Sequence, residues 1–317
     1  MSLKSPEPLH TCYWDFTAKH FHEKLVSEHK FTRSYNWVRL TLQEYCRIRP
    51  APRRGVHRRK RERRPLPGMM LHQDASSHQW VDRQWWDLIV TMDDATSEIY
   101  SAFFVDEEGT MSSLRGVFDV IESRGLFSSF YTDRGSHYWF MPEAGGKVDK
   151  QNLTQFGRAL QQLNIEHIPA YSPEARGRSE RMFGTLQGRL PQELRLAGIS
   201  DMDTANRYLK EVYMPKHNKI FSIPPEEQGS AFVAFTGNLK DTLCVQVERV
   251  VGNDNTVQFK KLVLQIPEGK HRHHYVKARV CVHQYFDNSL AIFHGPRQLA
   301  AYDKNGNLSG SKDKLAA

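Results

Sequence analysis

The chain has 317 residues, 39% hydrophobic and 25% charged, which supplies apolar material for two or three folded domains and excludes wholesale disorder. No run approaches 18 apolar residues, and no apolar stretch follows the first charges, so neither a membrane span nor a secretory signal is expected. The formal charge is +8, but residues 53–64 (RRGVHRRKRERR) hold eight Arg or Lys and one Glu, which leaves about +1 for the other 305 residues. A block of like charge repels itself and suits a phosphate backbone, so nucleic acid is the expected partner; a solvated linker is the alternative. The cysteines Cys12, Cys46, Cys244 and Cys281 form no CxxC pair, which fits a reducing, cytoplasmic setting.

Residues 1–48 come first. Phe16, Phe21 and Leu25 sit among polar neighbours, with Asp15 or Thr17 as cap, so 17–28 reads as a helix. Ser34 can cap a second helix carrying Tyr35, Trp37, Val38, Leu40 and Leu42. Helix, short turn, helix is the helix-turn-helix plan, with Arg33, Asn36, Arg39 and Gln43 able to face DNA. An ordinary helical hairpin fits equally well. The residues before Tyr13 are poor material for a third helix, so the segment is expected to be a partial, truncated DNA-binding domain. Residues 49–68 gather Pro50, Pro52, Gly55, Pro65, Pro67 and Gly68 around the basic block and read as a linker.

Residues 69–222 alternate strand and helix signals. Strands are expected at 69–76, 85–94, 98–106, 126–132 and 165–171. Helices are expected from Thr110 or Ser112 to Gly125, over 152–163, over 179–196 and over 203–217. Pro173 and Gly177 speak against a helix starting before Ser179. Three strands on short turns, then alternation, imply an α/β fold: a mixed five-stranded sheet with flanking helices. From 223 to 304, five β-type stretches separated by turn residues suggest a small barrel, and 305–317 reads as a loose tail.

Three acids stand where chemistry would place them. Asp74 ends the first strand of the sheet, Asp133 follows the strand LFSSFYT just before Arg134-Gly135, and Glu180 lies in the first turn of the expected helix. If the fold brings them together, their repulsion requires cations. Mg²⁺ accepts such carboxylates together with substrate phosphates, and two ions about 4 Å apart clamp the attacking and leaving oxygens of a phosphoryl transfer. Each acid alone also fits a modest role: a turn cap for Asp74, an Asx turn for Asp133, a helix N-terminal acid for Glu180. Asp93-Asp94 is expected to close the second strand and cap its turn. Glu174 is expected in the loop before the helix.

LHQDAS, YTDRGSHY and SPEARGRSERMFGTLQ resemble the three acidic motifs of DDE transposases and retroviral-type integrases. YWDFTAKHFHEKL, WDLIVTMDDATSEIYSAFF, EGTMSSLRGVF, VVGNDNTVQF and HGPRQLAAYD extend the resemblance over roughly residues 13–303, and it is nearest to the ISNCY type of insertion-sequence transposase. The resemblance implies an RNase H-like core with an SH3-like C-terminal barrel. It implies Asp74, Asp133 and Glu180 as catalytic and metal-holding residues for two Mg²⁺ (or Mn²⁺) ions. It implies cleavage of double-stranded DNA at element ends and strand transfer into target DNA, in a homo-oligomeric synaptic complex, without a nucleotide cofactor and on the bacterial nucleoid. The positions 139–151 lengthen the gap between Asp133 and Glu180 beyond the spacing usual in integrases. DNA contacts are expected from Arg39, from Arg53, Arg54, Arg58, Arg59, Lys60, Arg61, Arg63 and Arg64 of the linker, and from Arg176, Arg178 and Arg181 around the glutamate. A transposase-derived DNA-binding protein without activity, or an RNase H-like nuclease without strand transfer, are the other readings.

Overall fold

The structure is a computed structural model, which describes residues 12–45, 61–143, 146–171, 173–269 and 272–309, without the side chains of 173–176. The expected caps open the first two helices. The Thr17 hydroxyl accepts from the His20 amide at the start of α1 (Ala18–His29), and Lys30 closes it at φ 52°. Ser34 accepts from the Trp37 amide at the start of α2 (Tyr35–Glu44). Tyr13, Phe16, Phe21, Leu25, Val38 and Leu42 form one small core between these helices. The residues before Cys12, on which the question of a third helix turns, lie outside the described residues.

The central sheet has strand order β3-β2-β1-β4-β5. β1 (Leu71–Val81), β2 (Gln84–Asp93) and β3 (Ile99–Val105) form an antiparallel meander. β4 (Ser129–Thr132) adds to β1 in parallel, and β5 (Glu166–Pro169) adds to β4 in parallel. This is the expected mixed five-stranded architecture, but β1 runs on to Val81 instead of stopping near residue 76, because Ser76 to Val81 stay paired with β2, so Asp74 lies inside the strand and not at its end. Helices cover both faces, which is why the inner part of β2 is a continuous apolar run rather than an alternating one. One face carries α3 (Thr110–Arg124) and α4 (Gln155–Gln162), packed on Leu71 and Phe130. The other face carries α5 (Pro173–Gln187), α6 (Leu190–Leu196) and α7 (Met202–Tyr208), packed on Leu88, Val90 and Met92. A π-turn, Leu209–Tyr213, joins α7 to α8 (Met214–Phe221), so the last helical stretch runs beyond the expected residue 217.

Two helix boundaries differ from the sequence reading. α5 begins at Pro173, not Ser179. Proline suits the first turn, because its missing N–H has no helical partner there and its fixed φ is already helical. Gly177 is tolerated within the helix at a modest cost in backbone entropy. Glu174 therefore lies in the helix rather than in a loop. The expected single helix 179–196 is broken after Gln187, because Pro191 cannot continue a helix but can start α6.

After a short helix, α9 (Leu239–Thr242), the C-terminal region holds six strands rather than five. β6 (Val245–Val250), β9 (Arg279–Gln284), β10 (Leu290–His294) and β11 (Arg297–Tyr302) form an antiparallel sheet, and β7 (Thr256–Phe259) with β8 (Leu262–Gln265) forms a separate hairpin. One of the five expected β-type stretches, TVQFKKLVLQI (256–266), is two strands. Lys260, at φ 53°, turns it into two. Val257, Phe259, Leu264, Val282 and Ile292 share one core, so both sheets wrap the same apolar centre.

The N-terminal helices are held to the central α/β core by a buried charge cluster. Glu193 of α6, only 4% exposed, receives Nε2 of His20 at 2.7 Å and Nζ of Lys24 at 2.9 Å. Arg189 pairs with Glu23 at 2.5 Å, and Arg195 with Asp15 at 2.6 Å. Burial raises the Glu193 pKa, but the hydrogen bonds from His20 and Lys24 outweigh it and hold the carboxyl at about 2. Its ordinary value is 4.5, so its stabilising contribution is complete above that pH and is lost as the pH falls toward 2. Glu193→Ala should destabilise the chain by about 3–5 kcal/mol, because it leaves the buried His20 without its partner and Lys24 with Glu28 alone. Urea unfolding of the variant measures this, and limited proteolysis should show earlier cleavage between residues 29 and 45.

Candidate active site

β1 and β4 are in register through Leu71 with Phe130 and His72 with Tyr131. Asp74 stands two residues beyond His72, and Asp133 two beyond Tyr131. The two aspartates therefore reach the same height on neighbouring parallel strands. Side chains alternate across a strand, so Asp74 shares a face with Val90, its antiparallel partner. Val90 belongs to the core under α5, so both carboxyl groups belong to the α5 face.

Each aspartate is held by its local backbone. Asp74 is 9% exposed, and its Oδ1 accepts from the Ala75 amide at 3.1 Å. Asp133 is half-buried, and its Oδ1 accepts from the Gly135 amide at 2.8 Å, an Asx turn. A methyl at Gly135 would lie 3.0 Å from the His137 ring and 3.1 Å from that same oxygen, so any side chain there would press on both. The turn is fastened from behind. Tyr138, 1% exposed, donates to Gln73 Oε1 at 2.9 Å, and Gln73 Nε2 donates to Thr91 Oγ1 at 2.9 Å. The indole N–H of Trp139 donates to Thr132 Oγ1 at 3.0 Å. Burial, and the charges of Glu108, Asp133 and Asp74, push the Tyr138 hydroxyl well above its ordinary pKa, so it remains a donor.

Glu180 is exposed on α5. Gln187 lies seven residues on, hence on the same side of the helix, and donates to Ser76 Oγ of β1 at 2.8 Å. Among the described residues, no three His, Cys, Asp or Glu side chains converge into a metal-holding group. The fold thus aligns the two aspartates, and Glu180 does not complete a three-carboxylate cluster with them.

The expected basic contacts divide. Arg53, Arg54, Arg58, Arg59 and Lys60 lie outside the described residues, as does the side chain of Arg176. Arg64 and Arg181 are exposed, and Arg39 is half-exposed on α2. Arg61, Arg63 and Arg178 are committed within the protein. Arg63 donates to the carbonyl of Asp94 at 2.8 Å and to Ser97 Oγ at 2.9 Å. Arg61 and Arg178 both pair with the Asp94 carboxylate. The end of the basic run is therefore docked on the core, not a free tether, because a buried anion awaits it.

That anion was misread in the sequence. Asp93 does cap its turn, accepting from the Thr96 amide at 2.9 Å and from the Gly68 amide at 2.9 Å. Asp94 does not. It is fully buried and accepts from His72 Nε2 at 2.6 Å and from the Arg64 amide at 2.8 Å, besides its two arginines. Burial raises its pKa, but the His72 hydrogen bond, the Arg64 amide and the Arg178 charge override that and hold the carboxyl well below the usual carboxylate range.

No family model matches the chain. By sequence it is 31% identical to the "Putative transposase y4bF" of Sinorhizobium fredii over 285 residues, covering 88% of this chain and 62% of that protein. It is 28% identical to the transposase for insertion sequence IS1202 of Streptococcus pneumoniae, over 73% of this chain and 50% of that protein. The chain thus spans about half to three fifths of the length of these curated relatives. Among solved structures it aligns with a simian T-cell lymphotropic virus intasome over 97% of this chain and all of that one, at 16% identity and a TM-score of 0.40. It aligns with the HTLV-2 integrase catalytic core domain, solved with magnesium, over 46% of this chain and 89% of that one, at 16% identity and a TM-score of 0.35. No helix among the described residues is long and apolar enough to cross a membrane.

The Tyr138–Gln73 bond ties the Asp133 turn to the strand that carries Asp74. Tyr138→Phe should lower stability by about 1–3 kcal/mol, since it strands a buried amide oxygen. The urea midpoint should fall with an unchanged m-value; an unchanged midpoint would show that the bond does not hold the turn.

Proposed function

We propose that this chain, a homologue of insertion-sequence transposases, cleaves DNA at element ends and transfers the strand to target DNA, with Asp74, Asp133 and Glu180 as its catalytic carboxylates. The observation that carries this reading is the β1–β4 register, which sets Asp74 and Asp133 level on one sheet face. Two anionic carboxylates side by side repel each other and favour a cation between them. Their hard oxygens suit Mg²⁺ or Mn²⁺, and this donor set fits such an ion. A pair of these ions, when bound, would polarise the scissile phosphate and promote attack by water and then by the freed 3′-hydroxyl. Asp74 and Asp133 would hold them on the sheet side. Glu180 would approach from α5, which already rests on β1 through Gln187 and Ser76.

The remaining residues would bind and orient DNA. Arg64, Arg181 and the linker cations before Arg61 offer phosphate contacts, and α2 offers Arg39 for a groove. The chemistry exchanges one phosphodiester for another and calls for no nucleotide cofactor. Synapsis of two element ends calls for more than one copy of the chain. The setting would be the bacterial cytoplasm, on the nucleoid.

A second reading has its own observation. Glu180 is exposed and completes no metal-holding group among the described residues, as in a DNA-binding derivative that has lost catalysis. Cleavage and strand-transfer assays with Mg²⁺ on DNA carrying the ends that flank the gene separate the readings. Asp74→Asn, Asp133→Asn and Glu180→Gln should each reduce cleavage to background while DNA affinity stays near that of the unaltered chain. Full cleavage by Asp133→Asn would overturn the assignment.

The basic run supplies a second test. Arg61 and Arg63 are engaged inside the protein, which leaves Arg53, Arg54, Arg58, Arg59, Lys60 and Arg64 of the block for phosphate. Each phosphate neutralised on duplex DNA steepens the log–log salt dependence by about 0.9. Replacing Arg53, Arg54, Arg58 and Arg59 with Ala should flatten the slope by about 2–4 units and change base preference little. Arg39→Ala should relax sequence preference instead. An unchanged slope in the linker variant would make the run a spacer.

A further inference from the structure

α5 is fastened on both flanks. Ser179, Met182, Phe183 and Leu186 form its buried stripe. At 100° per residue, Arg178 lies on one side of that stripe, and Glu180 and Gln187 lie together on the other. Gln187 is tied to Ser76 of β1. Arg178 is tied to Asp94, and its second terminal nitrogen donates to the Arg61 carbonyl at 2.6 Å. The two ties oppose rotation of the helix about its own axis, and that rotation decides where Glu180 points.

Asp94 reaches the other parts of the site as well. It binds His72, two residues before Asp74 on the same face of β1. It binds Arg61 and the amide of Arg64, where the basic run enters the core. A fully buried carboxylate is stable as an anion only with such partners around it, so the partners are drawn to it rather than merely near it.

We propose that Asp94 is a positioning residue for Glu180: its carboxylate fixes the rotation of α5 against the Asp74 strand and anchors the end of the basic run at the same point. The proposal rests on the functional reading above for the role of Glu180, but the fastening of α5 can be tested without it.

The test uses the full chain carrying Asp94→Asn, which keeps the shape and removes the charge, and Arg178→Lys, which keeps the charge and removes the guanidinium fork. Asp119→Asn, a half-buried carboxylate paired with Ser101 and away from α5, serves as the control for general destabilisation. Hydrogen exchange of the amides in 173–187 is expected to quicken severalfold in both Asp94→Asn and Arg178→Lys, and to stay at the unaltered rate in Asp119→Asn. On cleavable DNA, turnover of Asp94→Asn should fall by about 10–100-fold, as for lost outer partners of a metal site, with DNA affinity nearly unchanged. Arg178→Lys gives the same reading should Asp94→Asn not fold. Unaltered exchange in 173–187 in a folded Asp94→Asn or Arg178→Lys chain overturns the proposal, as does an equal quickening in Asp119→Asn. Loss of the functional reading is recognised separately: Asp74→Asn would then cleave as well as the unaltered chain, while the exchange result still judges the fastening.

Discussion

Leu71 with Phe130 and His72 with Tyr131 join β1 to β4 in register, and the alignment of Asp74 with Asp133 depends on that short parallel contact. A slip of one residue would turn every side chain of β4 to the opposite face, because the side-chain period of a strand is two. Phe130 would leave the core under α3 and α4, and Asp133 would leave the face of Asp74. Phe130 is fully buried against Phe127 and Phe156, with ring centroids 5.3 and 5.7 Å away. Burial of that ring stabilises by about 1.5–3 kcal/mol, and a slipped register forfeits it. Apolar packing on one face of the sheet thus aligns the carboxylates on the other.

Two buried carboxylates then assemble the pieces around the sheet. Glu193 gathers the N-terminal helices onto α6, and Asp94 gathers the linker end and α5 onto β1 and β2. In each case the anion belongs to the core and its cations come from elements distant in sequence. Such pairs add little net stability over an apolar contact of the same shape, but breaking one is costly. They act here as specificity devices: an element that docks elsewhere leaves a buried charge without a partner.

Much of this was legible in the sequence. Thr17 and Ser34 announced their helices, Gly125 closed α3, and the strand pattern implied a mixed sheet with Asp133 just past a strand end, whereas Asp74 lies inside β1 rather than at its end. Those signals are local, set by caps, turns and alternation. The misread features were tertiary, or hung on one backbone angle. Asp93 and Asp94 look alike as neighbours, but alternation sends Asp93 toward Gly68 and Thr96 and Asp94 toward His72 and α5. No spacing rule shows that Asp94 is the centre of an ion cluster, since Arg61 and Arg178 lie 33 and 84 positions away. Pro173 breaks no helix because it stands in a first turn, where proline is favoured, and Pro191 divides the expected helix 179–196. Lys260 gave no sequence signal for its turn, because a lysine at positive φ is uncommon.

The docking of Arg61 and Arg63 changes what the basic run can do. Read as composition, its eight cations formed one flexible tether. In the fold, two of them are spent on Asp94 and its neighbouring carbonyls, so the tether ends where Arg61 meets the core. That point is also the position of His72, two residues from Asp74. The buried anion that draws Arg61 inward thereby fixes where the basic run meets the sheet, on the face that carries Asp74 and Asp133.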